Sequence, residues 1–171
     1  VGGQGGLTAL LHAVREGEGE IVMALLDAGA DIDQKSAGDG TPPIVMAAIN
    51  GHYDMTVELL DRGADPNVGS NAGTTALYAI LNNRWAPKAR YPQQEAWQQQ
   101  ETSHYDVMKA LLDGGADPNV RLTKHLWFME YTFSHLGIDT RGATPFWRAA
   151  HALDVPAMKM LVEYGADPNI P

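Results

Sequence analysis

"LLDAGADID" at residues 25–33 comes back as "LLDRGADPN" at 59–67, as "LLDGGADPN" at 111–119 and as "LVEYGADPN" at 161–169. A catalytic residue is needed once, whereas a residue that shapes a turn is needed in every copy, so this recurrence points to architecture. Each copy reads as the close of a helix. Two large aliphatic residues lead to Gly29, Gly63, Gly115 or Gly165, where a left-handed backbone is cheap only without a β-carbon. The Asp-Pro-Asn that follows in three of the copies stops the helix and starts a turn, and Asp31, Asp65, Asp117 and Asp167 read as turn residues that bond their own loop.

A second string precedes each copy: "GLTAL" at 6–10, "GTPPI" at 40–44, "GTTAL" at 73–77 and "GATPF" at 142–146. Its opening glycines, Gly6, Gly40, Gly73 and Gly142, lie 34, 33 and 69 residues apart. Thr8, Thr75 and Thr144 stand where a helix N-cap belongs, and Pro145 takes a first helical position, where its missing N–H costs nothing. The short helix that begins there is small and apolar on most faces, so it must be covered nearly all round. A second helix carries apolar residues at helical spacing: Ile21, Ala24 and Leu25, then Met55, Val57 and Leu60, then Val107, Ala110 and Leu111.

Helix, helix and turn at a period near 33, with these strings, resembles the ankyrin repeat and its T-P-L-H signature. The signature departs at Leu11, Val45, Tyr78 and Trp147, which replace its histidine, and at Pro42, which replaces its threonine. The resemblance implies an all-α solenoid, one domain over residues 1–171, with units at about 6–39, 40–72, 73–120 and 142–171. It also implies protein recognition as the usual role. Architecture alone does not name a function.

The third unit is overlong, and the excess falls at roughly 84–103, between its two helices, and at roughly 121–141, after its turn. These segments hold 7 of the 13 aromatic residues in about a quarter of the chain, a concentration that asks for a role. In the second, Leu122, Leu126, Met129, Phe133 and Leu136 form the stripe of an amphipathic helix, with Thr123 as its N-cap and Gly137 as its stop. That stripe is expected to pack back on the stack, leaving Trp127, Phe128 and Tyr131 for contact with a partner. In the first, Pro92 marks a short helix start, Trp97 sits in a glutamine run, and Ser103 with Asp106 has capping-box spacing.

Composition bounds the chemistry. A net charge of −9 and a pI of 4.9 disfavour a nucleic-acid partner, because affinity for phosphate backbones rests on clustered Lys and Arg. There are no cysteines, which removes disulfides, thiolate metal sites and cysteine nucleophiles. No apolar run reaches the ~18 residues of a membrane span. The start "VGGQGG" reads as a piece of a longer protein. No pair among His12, His52, His104, His125, His135 and His151 has the i, i+4 spacing of a helical zinc site, and neither a nucleophile elbow nor a phosphate-binding loop is present. The expectation is therefore no catalytic residue, no cofactor and no metal. The rival is a small-ligand or metal-dependent pocket where an insertion folds over the groove, using His125, His135 or nearby carboxylates. A further alternative is a regulatory module acting on another part of the same protein.

By resemblance, partners meet the concave face made of hairpin tips and the exposed side of each first helix. On this chain those positions are Asp39, Thr41, Ile49 and Asn50, then Asn71, Thr74, Asn82 and Asn83, then Arg141, Ala143 and His151. A protein or peptide is the expected occupant. Phe146, Trp147, Met158 and Met160 leave apolar surface on the last unit, which implies further repeats or another domain against it.

Overall fold

The computed structural model describes residues 6–85, 96–126 and 139–170, and in them the repeat becomes a row of helical hairpins. The first is α1 (Ala9–Glu16) with α2 (Gly19–Asp27), and the second is α3 (Pro43–Asn50) with α4 (Tyr53–Asp61). The third is α5 (Ala76–Trp85) with α6 (His104–Asp113), and the fourth is α7 (Pro145–His151) with α8 (Val155–Glu163). No strand occurs among the described residues, so the architecture is all-α. The first helices stack in one layer, α3 between α1 and α5 and α5 against α7, while α4 packs on α6 in the other.

The local signals act where the chain places them. Thr8 and Thr144 accept from the Leu11 and Trp147 amides at 3.2 and 3.1 Å. Ser103 accepts from the Asp106 amide at 3.2 Å and donates to its carboxylate at 2.6 Å, which caps α6. α3 buries Ile44, Val45, Ala47 and Ala48 completely, and each large aliphatic side chain so removed from water contributes about 1.5–3 kcal/mol. The apolar stripe of α2 is rotated from the expected one: Val22 is buried, while Ile21 is 51% exposed and Ala24 lies outside. Met55, which corresponds to Ile21 one unit on, has a unit stacked before it; Ile21 has none among the described residues.

The recurring aspartates and asparagines form a ladder. Within each turn Asp31, Asp65, Asp117 and Asp167 accept from the amide two residues on, at 3.0, 2.8, 2.8 and 2.8 Å. Between turns Asn67 donates to the Gly115 carbonyl at 2.9 Å and accepts from the Asp117 amide at 2.7 Å, and Asn119 repeats this with Gly165 and Asp167. Asp33 takes the asparagine position in the first turn and can only accept, from the Asp65 amide at 3.2 Å. Burial, with Asp65 and Asp31 close by, pushes its carboxyl up from the ordinary range despite that amide.

Neighbouring hairpin tips are tied by the Ala37 amide to the Gly6 carbonyl at 3.1 Å, the Asn71 amide to the Asp39 carbonyl at 2.9 Å and the Thr123 amide to the Ala72 carbonyl at 2.8 Å, and each hairpin also closes on its own backbone. Ser36 pairs with Thr41, Ser70 with Thr74 and Leu122 with Ala143, each by an N–H to carbonyl bond of 3.0 Å. The last rung closes over the long segment between Leu122 and Gly142, whose amide returns to the Leu122 carbonyl at 2.8 Å. At Gly73 (φ 79°) an added Cβ would stand 2.7 Å from the Arg121 carbonyl oxygen, so the approach of these tips requires glycine. Residues 121–126 are not helical, and the Thr123 hydroxyl donates to the Asn71 carbonyl at 3.3 Å instead of capping a helix. Met129, Phe133, Leu136 and Gly137 lie outside the described residues, as does Pro92.

α5 lacks the glycine that ends α1 (Gly17) and α3 (Gly51) and runs on through Arg84 and Trp85. Beyond it Ala96–Gln99 forms one 3₁₀ turn, and the Gln100 side chain accepts from the Asp54 amide at 3.2 Å. Asp54 in turn accepts from the Glu101 and Thr102 amides at 3.0 and 2.7 Å, which ties this segment to the start of α4.

At the corresponding turn of the fourth unit the left-handed residue is Leu153, with φ 58° and 84% of its surface exposed. Gly17 and Gly51 hold that place in the first two units at φ 81° and 78°. A left-handed conformation costs a residue with a β-carbon about 1–2 kcal/mol, and an exposed leucine recovers little of this by packing. Leu153→Gly is therefore expected to stabilise the chain by about 0.5–1 kcal/mol after the larger unfolded-state entropy of glycine is subtracted. A urea midpoint that fails to rise would refute the strain.

Candidate interaction surface

The positions assigned to the concave face divide by burial. Asn71, Arg141 and His151 are exposed, and Asp39, Ile49, Asn50 and Asn83 are half-buried. Thr41, Thr74, Asn82 and Ala143 are buried, which removes them from direct reach of a partner. Ala143 is covered by the segment after the third unit, where Leu122 and Leu126 return onto it and Tyr78, with Ala72 and Trp147 packed at the edge. Asn82 is met from α7 by Arg148, whose Nε donates to its Oδ1 at 2.9 Å. Thr41 is enclosed by its own hairpin, where its amide donates to Ser36 Oγ at 3.0 Å. Trp127, Phe128 and Tyr131 lie outside the described residues.

Several of the polar side chains already serve the backbone. Asn83 donates to the Ala48 and Ile49 carbonyls at 3.2 and 3.1 Å, completing the end of α3 from the next unit. Asn50 donates to the Met46 carbonyl at 2.9 Å. Asp39 accepts from the Ser36 hydroxyl at 2.7 Å. Arg141 pairs with Asp139 through its side chain and its amide. His151 lies flat on Trp147, ring centroids 5.2 Å apart at 13°, and this half-buried indole occupies the position of Leu11 and Val45 in the first two units.

A second aromatic group was missed from the sequence. The Arg84 guanidinium stands 4.9 Å from the Trp85 ring and 4.8 Å from the Trp97 ring, an arrangement that favours a cation between two π faces. Beside it the buried Asp154 carboxylate accepts from Trp85 Nε1 at 2.8 Å, the Tyr105 hydroxyl at 2.9 Å and the Ala157 amide at 3.1 Å. Burial pushes this carboxyl upward, but the three donors together with His104 outweigh it and hold the group below the ordinary value. "DVP" at 154–156 carries the one available signal, a cap residue ahead of an early helical proline.

An open cleft of about 460 Å³ lies between the second helices α2 and α4, lined among others by Met23, Met55, Asp54, Glu58 and Gln100. It is remote from the His125 segment. His125 Nδ1 meets the Thr140 hydroxyl at 3.1 Å, and His135 lies outside the described residues. Among the described residues no three His, Asp or Glu side chains gather as a metal site would require, and no helix is long and apolar enough to cross a membrane.

The repeat ladder and the stacked hairpins agree with comparison to known proteins. A family model described as "Ankyrin repeats (3 copies)" matches residues 10–91, and one described as "Ankyrin repeat" matches residues 141–171. The chain is 30% identical over 168 residues to the Ankyrin repeat and SAM domain-containing protein 6 of Danio rerio, covering 93% of this chain and 21% of that protein. It is 38% identical to the B-cell lymphoma 3 protein homolog of Mus musculus over 50% of this chain and 19% of that protein. With the BTB/POZ domain and ankyrin repeat-containing protein NBCL of Lotus japonicus it shares 43% identity over 40% of this chain and 14% of that protein. The chain thus spans about a fifth or less of the length of these relatives. It belongs to the ankyrin-repeat family, whose repeats are in general protein–protein interaction modules and typically non-catalytic.

Proposed function

We propose that this chain is a non-catalytic recognition module that holds a protein or peptide on its hairpin side, along the exposed tips and the outer edge of α7. The observation that carries this reading is the Trp147–His151 stack. The matching residues of the other three units, Leu11, Val45 and Tyr78, are buried, whereas α7 presents an indole that stays half-exposed. Amphipathic rings of this kind dominate interface energetics. Asn71 and Arg141 extend the same side as polar rim. The net charge of −9 supports a protein over a nucleic acid as the occupant.

A photo-crosslinking residue at position 151 should capture the partner, while the same residue at exposed position 159 on α8 should not. Trp147→Ala is expected to weaken the captured interaction at least about tenfold. Equal capture from both positions, or an affinity unmoved by Trp147→Ala, would overturn the assignment of this face.

A further inference from the structure

Four of the six large apolar side chains that stand exposed among the described residues meet at one place, around Asp154. Leu153 and Val155 flank it in the chain with 84% and 53% of their surface exposed. Trp85 and Tyr105 reach its carboxylate from the third unit and are 39% and 36% exposed. Those two hydrogen bonds occupy the polar atom of each ring, so what the rings offer outward is apolar. Apolar residues scattered singly over a surface need no account, whereas a gathered patch marks a contact.

Leu153 gives the patch its direction. Its φ of 58° costs about 1–2 kcal/mol, and at 84% exposure no packing within the chain offsets that strain. A residue held in this way points to a role outside the fold. A further unit stacked like the inner ones is not the occupant it suits. At Gly17 and Gly51, which hold its place in the first two units, an added Cβ would stand 2.6 Å from the His52 ring and 3.1 Å from the Trp97 amide nitrogen, both contributed by the following unit. A leucine there leaves no room for such stacking.

Size and charge define what fits instead. The four side chains together expose a few hundred Å², short of the about 800 Å² that each partner of a stable dimer contributes, so the patch suits a peptide segment better than a second copy. Beside it the half-buried Arg84 guanidinium lies 4.9 Å from the Trp85 ring and 4.8 Å from the Trp97 ring and forms no ion pair among the described residues. Its charge also bears on Tyr105, whose hydroxyl is pushed up by burial and by Asp154 and drawn back by Arg84. A cation at the rim of an apolar patch favours an occupant with a carboxylate next to its apolar residues.

We propose that Leu153, Val155, Trp85 and Tyr105 form a docking surface for a short peptide segment of a partner protein, one that carries large apolar residues beside an Asp or Glu whose carboxylate meets Arg84. The surface lies at the turn joining α7 to α8, the opposite end of α7 from the hairpin tips, and goes beyond the face assigned above.

The probe is a displayed library of random linear peptides selected on the full chain, with each enriched peptide then synthesised and measured against variants. Expected is a class of peptides, apolar and acidic in composition, that loses at least about tenfold in affinity on Leu153→Gly and nothing on Trp147→Ala. The urea midpoint of Leu153→Gly stays at or above that of wild type, so the lost affinity cannot come from a damaged fold. Arg84→Gln should cost this class about threefold, and nothing once the peptide's carboxylate is replaced by its amide. A library that yields no class lost on Leu153→Gly, or one that is basic in composition, would overturn the surface. Equal losses on Leu153→Gly and Trp147→Ala would move the peptide to the hairpin side and overturn it too. Wild type that dimerises in light scattering, or sediments with phosphatidylserine vesicles, and does neither as Leu153→Gly, would assign the patch to a second copy or to a membrane and overturn the peptide.

Discussion

Asp154→Ala is expected to lower the unfolding free energy by about 3 kcal/mol, the largest loss from any single polar side chain on the described surface between the third and fourth units. Three contributions add. The carboxylate caps α8 through the Ala157 amide at 3.1 Å, and cap removal costs about 1–2 kcal/mol. It also accepts from Trp85 Nε1 and the Tyr105 hydroxyl, two donors that stand 36–39% exposed as residues and so recover part of their loss from water. Finally, the substitution leaves a void among Trp85, His104 and Tyr105, adding a cavity cost. Asp154→Asn keeps the cap and one acceptor and should lose only about 1 kcal/mol. Urea unfolding measures both, and a double-mutant cycle with Trp85→Phe isolates the indole bond. An alanine loss no larger than the cap's about 1–2 kcal/mol would mean that the carboxylate acts as a helix cap and does not join the two units.

What could be read in advance and what could not follows the reach of each interaction. Gly29, Gly63, Gly115 and Gly165 end helices because of their own backbone, with φ between 89° and 92°, and Thr8, Ser103 and Thr144 cap because of an amide three residues on. Four copies of such local rules are enough to set the fold. Ile21 was misplaced because an apolar stripe tolerates rotation by one residue, and only the stacking of neighbouring units decides whether Ile21 or Val22 turns inward. Asn82 and Ala143 were assigned to the surface because their positions are open in a plain repeat, whereas here Arg148 reaches Asn82 from α7, and Leu122 and Leu126 return onto Tyr78 and Ala143. Asp154 gathers Tyr105 and Trp85 from 49 and 69 residues away, a separation at which no local pattern carries information. The Arg148–Asn82 bond spans 66 residues and is equally silent in the sequence.

Acidification from pH 7 to pH 5 should cost the wild-type chain about 2 kcal/mol through His104 alone. The ring is 8% exposed, between Tyr53 and Tyr105, and neither nitrogen has a hydrogen-bond partner among the described residues. Burial pulls its pKa down to about 4; Asp154 Oδ2, 3.7 Å away and beyond hydrogen-bond reach, opposes this, and the Arg84 guanidinium reinforces it. A folded value below the ordinary 6.5 means that the unfolded chain binds a proton that the folded chain refuses. The stabilising contribution is therefore complete above 6.5 and is lost as pH falls toward 4. His104→Phe keeps a ring between the two tyrosines and discards both unpaired nitrogens, so it should be at least as stable as wild type at pH 7 and markedly more stable at pH 5. Urea midpoints taken across this range decide the matter. Parallel pH profiles for wild type and His104→Phe would show that the ring charges without penalty, and the junction of α4, α6 and α8 would then have to open enough to admit water at His104.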